Sequence, residues 1–164
     1  MNKHTRGVED ELRAWLAGSS KVVVAGIGNA IRMDDYVGVK IVEDLRDKMP
    51  ERVHLIECET VPESFVDEII GIRPTHVLLI DAAVLGHRPG TAHLYDVEEV
   101  IGIPTISTHT LPLRVFCDYV EQLTGAKIAL ILIEPKIADF GEGLTPEVAA
   151  AAIEVEIALL NSMC

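Results

Sequence analysis

Short apolar runs rich in β-branched residues alternate with segments of helical periodicity through most of the chain. Such runs predict buried strands at residues 21–27, 52–58, 76–80 and 127–133. A shorter run at 91–95 follows a Pro-Gly turn and predicts an edge strand. Strands separated by helices imply right-handed crossovers and a sheet covered on both faces. The alternation therefore predicts an α/β fold, a three-layer α/β/α sandwich with a mostly parallel sheet.

Helix signals lie between the predicted strands. A helix that carries Gly38 is expected to continue to Pro50, where proline stops it. Thr60 and Glu63 have the spacing of a capping box and predict the start of a second helix. Thr145 is the predicted N-cap of a C-terminal helix, because a proline follows it directly.

Residues 1–20 precede the first predicted strand. Val8, Leu12 and Trp15 recur at helical spacing, so a short amphipathic helix is expected to lie against the main body. No repeat or linker divides the 164 residues, a length near the usual size of one domain. We therefore expect one domain, 1–164, with a helical N-terminal extension over 1–20 and an α/β core over 21–164.

The composition limits the kinds of partner that the protein can bind and indicates the cellular compartment in which it works. The formal net charge of −12 argues against binding to nucleic acid or to an anionic membrane surface. No apolar run approaches the roughly 20 residues that span a bilayer, and the N-terminus lacks the apolar core of a signal peptide. Three cysteines lie far apart and form no CxxC pair, which is typical of a reducing compartment. The sequence therefore predicts a cytoplasmic protein.

Acidic residues and a histidine follow the predicted strands. Asp34 and Asp35 lie in the loop after the first strand, Asp81 ends the third, and His109 stands just before a later helix. The carboxyl ends of parallel strands meet at one edge of a sheet, where ligands usually bind. Asp35, Asp81 and His109 are therefore a candidate ligand set for a divalent transition metal, with coordination positions left open for water or substrate.

Each of these residues also has a structural interpretation. Asp81 could cap the following turn, and Asp34 or Asp35 could be a helix N-cap. His109 could be a hydrogen-bonded structural histidine. The remaining histidines have no comparable neighbours in the predicted topology, and we expect them to be structural or on the surface: His4, His54, His76, His87 and His93.

Several common catalytic signatures are missing from the sequence. It has no GxSxG elbow, no HExxH motif and no Walker loop. Gly26 and Gly28 lack the third glycine of a dinucleotide fingerprint, because Ile31 occupies that place. Cys58 and Cys117 fall in apolar strand and helix patterns, which favours buried packing over a nucleophilic role.

Four segments resemble a known family in the right order. GIGNAIRMDDYVG (26–38) resembles the GxGNxxxxD[DE]xxG signature of the hydrogenase-maturation endopeptidases, and DAAVLGHRPG (81–90) is similar to their DAxxxGxxPG stretch. STHTLPL (107–113) resembles the histidine segment, in the Thr-His-x-x-Pro-Leu version of the subgroup that processes energy-converting or formate-linked hydrogenases. IEPKIADFGEGLTPEV (133–148) resembles the C-terminal pattern of the family.

The resemblance implies a cytoplasmic endopeptidase that removes the C-terminal extension of a [NiFe]-hydrogenase large-subunit precursor already loaded with nickel. The metal-contacting positions of the family correspond to Asp35, Asp81 and His109, which are also the catalytic residues that the resemblance implies. They would contact nickel supplied by the precursor rather than an ion held permanently. Asp34 or Asp35 is a candidate general base.

The glycine loop and two departures from the family pattern complete this hypothesis. Gly26, Gly28 and Asn29 are expected to bind substrate, since glycine lets the backbone approach it closely. Many relatives have glutamate where this chain has Asp35. Glu134 stands where glutamine is common, which leaves any substrate contact at that position open.

A signalling receiver domain is the alternative. Receivers carry an acidic pair, a phospho-accepting aspartate and a lysine, a pattern that Asp34, Asp35, Asp81 and Lys136 imitate. Receivers place the acidic pair directly at the strand end, without an inserted GIGNAIR segment, and they would give His109 no role.

Overall fold

The computed structural model describes residues 4–100 and 113–164. Within these residues the chain forms one five-stranded sheet from β1 (Val22–Ile27), β2 (Val53–Glu59), β3 (His76–Ala82), β4 (Ala92–Asp96) and β5 (Lys127–Ile133). Their spatial order is β2-β1-β3-β5-β4. The strands β2, β1, β3 and β5 are parallel, whereas β4 is antiparallel to β5 and forms one edge. The mostly parallel sheet and the edge strand predicted at 91–95 are both confirmed.

Helices cover both faces of the sheet, which confirms the three-layer sandwich. One hydrophobic core lies under α1 (Val8–Trp15), α2 (Val37–Leu45) and α5 (Pro146–Met163). The other lies under α3 (Val66–Ile72) and α4 (Leu113–Thr124). Every residue of β1 and β3 is buried. Strands buried on both faces need no polar alternation, which is why they read as continuous apolar runs.

The predicted end of α2 is wrong by five residues. The helix ends at Leu45 rather than at Pro50. Arg46 leaves the helical region with a ψ of 133°, and Asp47 adopts a φ of 65°. The left-handed residue terminates the helix before proline can do so.

The capping box predicted at Thr60 and Glu63 is also wrong. The helical segment begins as a 3₁₀ turn at Pro62–Phe65, and the residue directly before it is Val61. Proline at the first helical position supplies a suitable φ, and its missing N–H needs no intrahelical partner. Thr60 therefore lies one residue too early to be the N-cap.

The N-terminal helix predicted from the apolar spacing is present as α1. Its buried residues Val8 and Leu12 join the same hydrophobic core as α2 and α5. Trp15 meets the edge of the His76 ring at a centroid distance of 4.9 Å. His76 is buried in β3, and burial lowers its pKa, as expected of a structural histidine. None of the helices in the described residues combines the length and apolar character needed to span a bilayer.

Glycines bring the start of α2 against the centre of the sheet. A Cβ atom on Gly38 would lie 2.1 Å from the carbonyl oxygen of Ile80, near the end of β3. A Cβ atom on Gly26 would lie 2.3 Å from the carbonyl oxygen of Gly38. Side chains at these positions would separate the helix from β1 and β3. The close approach places the loop before α2 beside the carboxyl end of β3.

Candidate active site

Two of the three predicted site residues lie at the carboxyl rim of the sheet, and both are fully buried. Asp81 is the penultimate residue of β3, a strand flanked on both sides by parallel neighbours. Asp35 lies in the 3₁₀ turn Met33–Tyr36, which packs against β3. Carboxylates buried in this way are costly unless hydrogen bonds or cations compensate them. Such groups are therefore candidates for a functional site.

The glycine loop after β1 holds Asp35 in place. The backbone N–H of Asn29 donates to Oδ2 of Asp35 at 3.1 Å. A Cβ atom on Gly28 would lie 2.2 Å from the backbone oxygen of Asp35, so only glycine permits this approach. The N–H of Gly28 donates to the carbonyl oxygen of Glu59 at 2.7 Å, which attaches the loop to the end of β2. The Gly-x-Gly-Asn segment thus positions the carboxylate through its backbone.

Asp81 is held by its own strand end. Its Oδ1 accepts a hydrogen bond from the N–H of Ala82 at 2.8 Å. The residue is in register with Leu132 of β5, whose side chain belongs to the core on the α3 and α4 face. This hydrogen bond orients the carboxylate at the point where the chain leaves the sheet.

Asp34 is a structural anchor, so its interpretation as a general base or helix cap is wrong. It is fully buried, and its Oδ2 accepts hydrogen bonds from the N–H groups of Lys136 and Ile137, each at 2.9 Å. Its Oδ1 accepts the N–H of Thr145 at 2.7 Å. Because a distant loop occupies both of its oxygens with hydrogen bonds, Asp34 is not available to activate a water.

Asp35 does not cap α2 either, because the residue before that helix is Tyr36.

Thr145 occupies the predicted N-cap position of α5 but does not cap it with its side chain. Its hydroxyl donates instead to the carboxylate of Asp34, at 2.8 Å from Oδ2. Two backbone hydrogen bonds extend this connection, from Met33 N–H to Gly141 O at 3.1 Å and from Gly141 N–H to Ile31 O at 3.0 Å. The loops before α2 and before α5 are therefore joined into one support beneath Asp35.

Glu134 is a site-supporting residue whose role was not predicted. Its buried carboxylate oxygen Oε1 accepts the N–H groups of Leu85 and His87 at 2.9 and 2.8 Å. Its own N–H donates to the carbonyl oxygen of Thr91. Glu134 thereby fixes the loop that follows Asp81. An acidic residue directly after the last buried strand was the one available signal.

A cleft of about 360 Å³ opens beside the glycine loop. Gly28 and Asn29 line it together with Tyr36 and Glu43. The Tyr36 hydroxyl donates to the Glu43 carboxylate, and burial together with this contact raises the pKa of Tyr36. Gly26, the third predicted substrate-binding residue, packs inside the protein against α2 and is not among the lining residues of this cleft.

His109, the third member of the predicted ligand set, lies outside the described residues.

The cysteine in β2 and the cysteine in α4 are both buried, as expected. Burial raises the pKa of both Cys58 and Cys117 to about 12, so both are thiols at neutral pH and neither is an activated nucleophile.

Nothing in the described residues supports a receiver domain. The Nζ of Lys136 forms an ion pair with Glu147 at 2.8 Å. Asp34, the first acidic residue of the supposed pair, is enclosed by the loop before α5. The sheet order also differs from the 2-1-3-4-5 order of flavodoxin-like receivers, because β4 is an antiparallel edge strand beyond β5.

Comparison with known proteins identifies the class. The chain belongs to the hydrogenase maturation protease family, whose model matches residues 39–162. It is therefore a peptidase, a hydrolase that acts on a peptide bond.

Particular relatives agree with this class. A putative hydrogenase maturation protease of Methanocaldococcus jannaschii is 36% identical over 133 residues, which are 76% of this chain and 78% of that protein. The hydrogenase 3 maturation protease of Escherichia coli is 26% identical over 72% of this chain and 75% of its own length. The crystal structure of a [NiFe] hydrogenase maturation protease HycI from Thermococcus kodakarensis is similar, with a TM-score of 0.85 and 29% identity. That similarity covers 93% of this chain and 97% of the other.

Proposed function

We propose that this peptidase removes the C-terminal extension of a [NiFe]-hydrogenase large-subunit precursor. One observation supports the location of the site above all others. Asp35 and Asp81 are fully buried carboxylates at the same rim of the sheet, and Asn29, whose N–H donates to Asp35, lines the cleft. Membership of the hydrogenase maturation protease family supplies the substrate class.

Asp35, Asp81 and His109 contact the nickel of the precursor in this proposal. Carboxylate oxygens and an imidazole are suitable ligands for a divalent transition metal. A metal bound there supplies Lewis-acid chemistry that polarises a carbonyl group or activates water. The chain orients its two carboxylates in advance, through the N–H of Asn29 at Asp35 and the N–H of Ala82 at Asp81.

The exposed part of the glycine loop receives the substrate peptide. Gly28 and Asn29 line the cleft, and the lack of a Cβ atom on Gly28 lets this backbone lie against that of Asp35. Asp35 is the remaining candidate for a general base, because Asp34 is enclosed by hydrogen bonds. Cleavage then depends on both the peptide in the cleft and the nickel at the rim.

A processing assay tests this function. Purified protein is mixed with a nickel-loaded precursor or with the same precursor lacking nickel, and loss of the C-terminal tail is followed by mass. We expect cleavage of the loaded form alone. Equal cleavage of both forms would remove nickel from the mechanism and leave the peptidase activity intact. Failure to cleave any cognate precursor would refute the proposed substrate.

Alanine variants test which residues are needed for catalysis. Substitution of Asp35, Asp81 or His109 by alanine should abolish processing. Asp10→Ala is the matched control, since Asp10 is an exposed carboxylate on α1. Normal processing by the three site variants, with correct folding, would exclude them as catalytic residues.

We also propose that processing takes place in the cytoplasm. The three cysteines are unpaired in the structure, and two of them are buried. Free cysteines are typical of proteins kept in a reducing compartment. Fractionation of cells that express the protein tests this assignment, and recovery outside the cytoplasmic fraction would contradict it.

A further inference from the structure

Two histidines and one glutamate from three separate segments meet at the edge of the sheet. Nδ1 of His4 lies 2.7 Å from Oε2 of Glu11, and Nδ1 of His93 lies 2.9 Å from Oε1 of the same carboxylate. Glu11 belongs to α1 and His93 to the edge strand β4. The expectation that His4 and His93 are isolated is therefore wrong, because the fold brings residues 4 and 93 to one carboxylate.

A second carboxylate orients the first histidine. Nε2 of His4 lies 3.0 Å from Oε2 of Glu99, on the opposite side of the ring from Glu11. In metal sites, a ligating histidine usually donates its second ring N–H to a carboxylate or carbonyl oxygen. This bond fixes the tautomer and leaves the other nitrogen to bind the ion. Glu99 therefore has the position of a supporting residue, with Nδ1 of His4 directed at Glu11.

The surroundings suit a small ion better than a large ligand. The side chains of His4, His93 and Glu11 are 15%, 20% and 9% exposed, so the cluster is sheltered but reachable. The ring of Tyr95 covers His4 at a centroid distance of 4.5 Å. The carboxylates of Glu11 and Glu99 lie at the two ring nitrogens of His4, so the cluster is suited to a cation.

We propose that His4, Glu11 and His93 form a binding site for a divalent transition-metal ion of the zinc type. One ligand atom from each residue lies within 4.8 Å of the other two. Zinc bonds of roughly 2.0–2.1 Å place tetrahedral ligand atoms about 3.3 Å apart, so only small side-chain shifts are needed. Two imidazoles and a carboxylate are a donor set that zinc accepts readily, with the fourth position open to water.

This site differs from the ligand set proposed for the precursor's nickel. His93 is in register with Leu132, and Leu132 is in register with Asp81. The backbones of His93 and Asp81 are therefore two strand spacings apart, about 10 Å. Metal at the edge site ties residue 4 and α1 to β4, next to the 3₁₀ turn Val97–Val100 that carries Glu99. Its role is to fasten the N-terminal segment beside the active site.

Zinc titration of the full chain tests the proposal. The background variant Asp81→Asn/His109→Gln removes two of the three other candidate ligands and leaves Asp35 alone, and zinc uptake is measured by competition with a chromophoric chelator. We expect the background protein to bind a single zinc ion. His4→Gln or His93→Gln in this background should abolish that binding, whereas His87→Gln, a change at an exposed histidine, should leave it unchanged. Glu99→Gln should weaken the zinc Kd by about 10- to 100-fold.

Imidazole NMR spectra and thermal unfolding separate binding from misfolding. Zinc should shift the ring signals of His4 and His93 but not those of His76, and should raise the Tm of the background protein. His4→Gln keeps the fold intact because His4 lies outside both hydrophobic cores. No zinc uptake by the background protein would overturn the proposal. Unchanged uptake in both histidine variants would overturn it equally. Neither measurement depends on peptidase activity, so failure here leaves the proposed function unaffected.

Discussion

Thr145 binds both carboxylate oxygens of Asp34 across 111 positions of the chain. Its N–H donates to Oδ1 at 2.7 Å, and its hydroxyl lies 2.8 Å from Oδ2 and 3.1 Å from Oδ1. Asp34 is thus the link between the loop that carries Asp35 and the loop that leads into α5. The first acid of the Asp-Asp pair joins two loops, whereas the second is the one that we propose as a site residue.

Loss of this link should destabilise the protein strongly. Asp34→Ala leaves the N–H groups of Lys136, Ile137 and Thr145 without their acceptor, and that of Thr145 is buried. We expect a decrease of roughly 3 kcal/mol or more in the free energy of unfolding, measured by urea denaturation. Thr145→Val should lower it by only about 1 kcal/mol, because the backbone N–H remains. Asp139→Ala, at an exposed position of the same loop, is the control. Equal stability of Asp34→Ala and this control would contradict the anchor role.

Gly38 and Gly71 provide a paired test of helix–sheet packing. Gly38→Ala introduces a Cβ atom 2.1 Å from the backbone oxygen of Ile80, and backbone atoms cannot move aside cheaply. We expect a loss of about 1–3 kcal/mol or more in the free energy of unfolding. Gly71→Ala meets nothing within 4 Å on α3 and should gain about 0.5–1 kcal/mol from helix propensity. Thermal unfolding of the two variants measures both effects, and a neutral Gly38→Ala would show that α2 tolerates displacement.

Glu134 should affect processing through the loop after Asp81. Glu134→Gln keeps an Oε1 acceptor for the N–H groups of Leu85 and His87, so activity should fall less than about threefold. Glu134→Ala removes the acceptor and should lower activity by on the order of 10-fold or more, since small displacements near the reacting groups are costly. Amide hydrogen exchange of residues 83–91 should rise in Glu134→Ala alone. Unchanged exchange in that variant would show that other contacts hold the loop.

A carboxylate pair between α2 and α5 should make stability depend on pH. Burial, followed by the hydrogen bond and charge of Asp44, raises the pKa of Glu156 from 4.5 to about 7. The folded state therefore holds this proton more tightly than the unfolded state. The stabilisation is complete below pH 4.5 and is lost as the pH rises through about 7. Glu156→Gln mimics the protonated group, so its Tm should exceed that of the wild type by roughly 2 °C at pH 8 and match it at pH 4.

The control for this pair is Glu154→Gln on the exposed side of α5. It removes the same formal charge without touching Asp44. Its Tm difference from the wild type should stay constant between pH 4 and pH 8. A pH-dependent difference of the same size in both variants would point to the overall charge of the protein, and the pair itself would then have no measurable effect.

The local sequence was sufficient to predict the strands and the two aspartates at the carboxyl rim of the sheet. The parallel strands are buried on both faces, so their composition alone marks them, and β1 and β3 fall within a residue or two of the predicted ranges. Asp81 was found because an acidic residue directly after an apolar run is a local signal. Asp35 followed from the same reasoning, together with the family motif.

The tertiary structure decided which of two neighbouring aspartates joins the loops and which faces the rim of the sheet. Asp34 and Asp35 are adjacent and chemically identical, yet one faces the loop before α5 and the other the rim. Their directions are set by a 3₁₀ turn whose backbone is held by Gly141. His4 and His93 carry no local motif and meet only because α1 packs on the edge strand β4. Sequence periodicity encodes burial, which is local, whereas these partnerships depend on hydrogen bonds between segments that only the folded chain brings within 3 Å of each other.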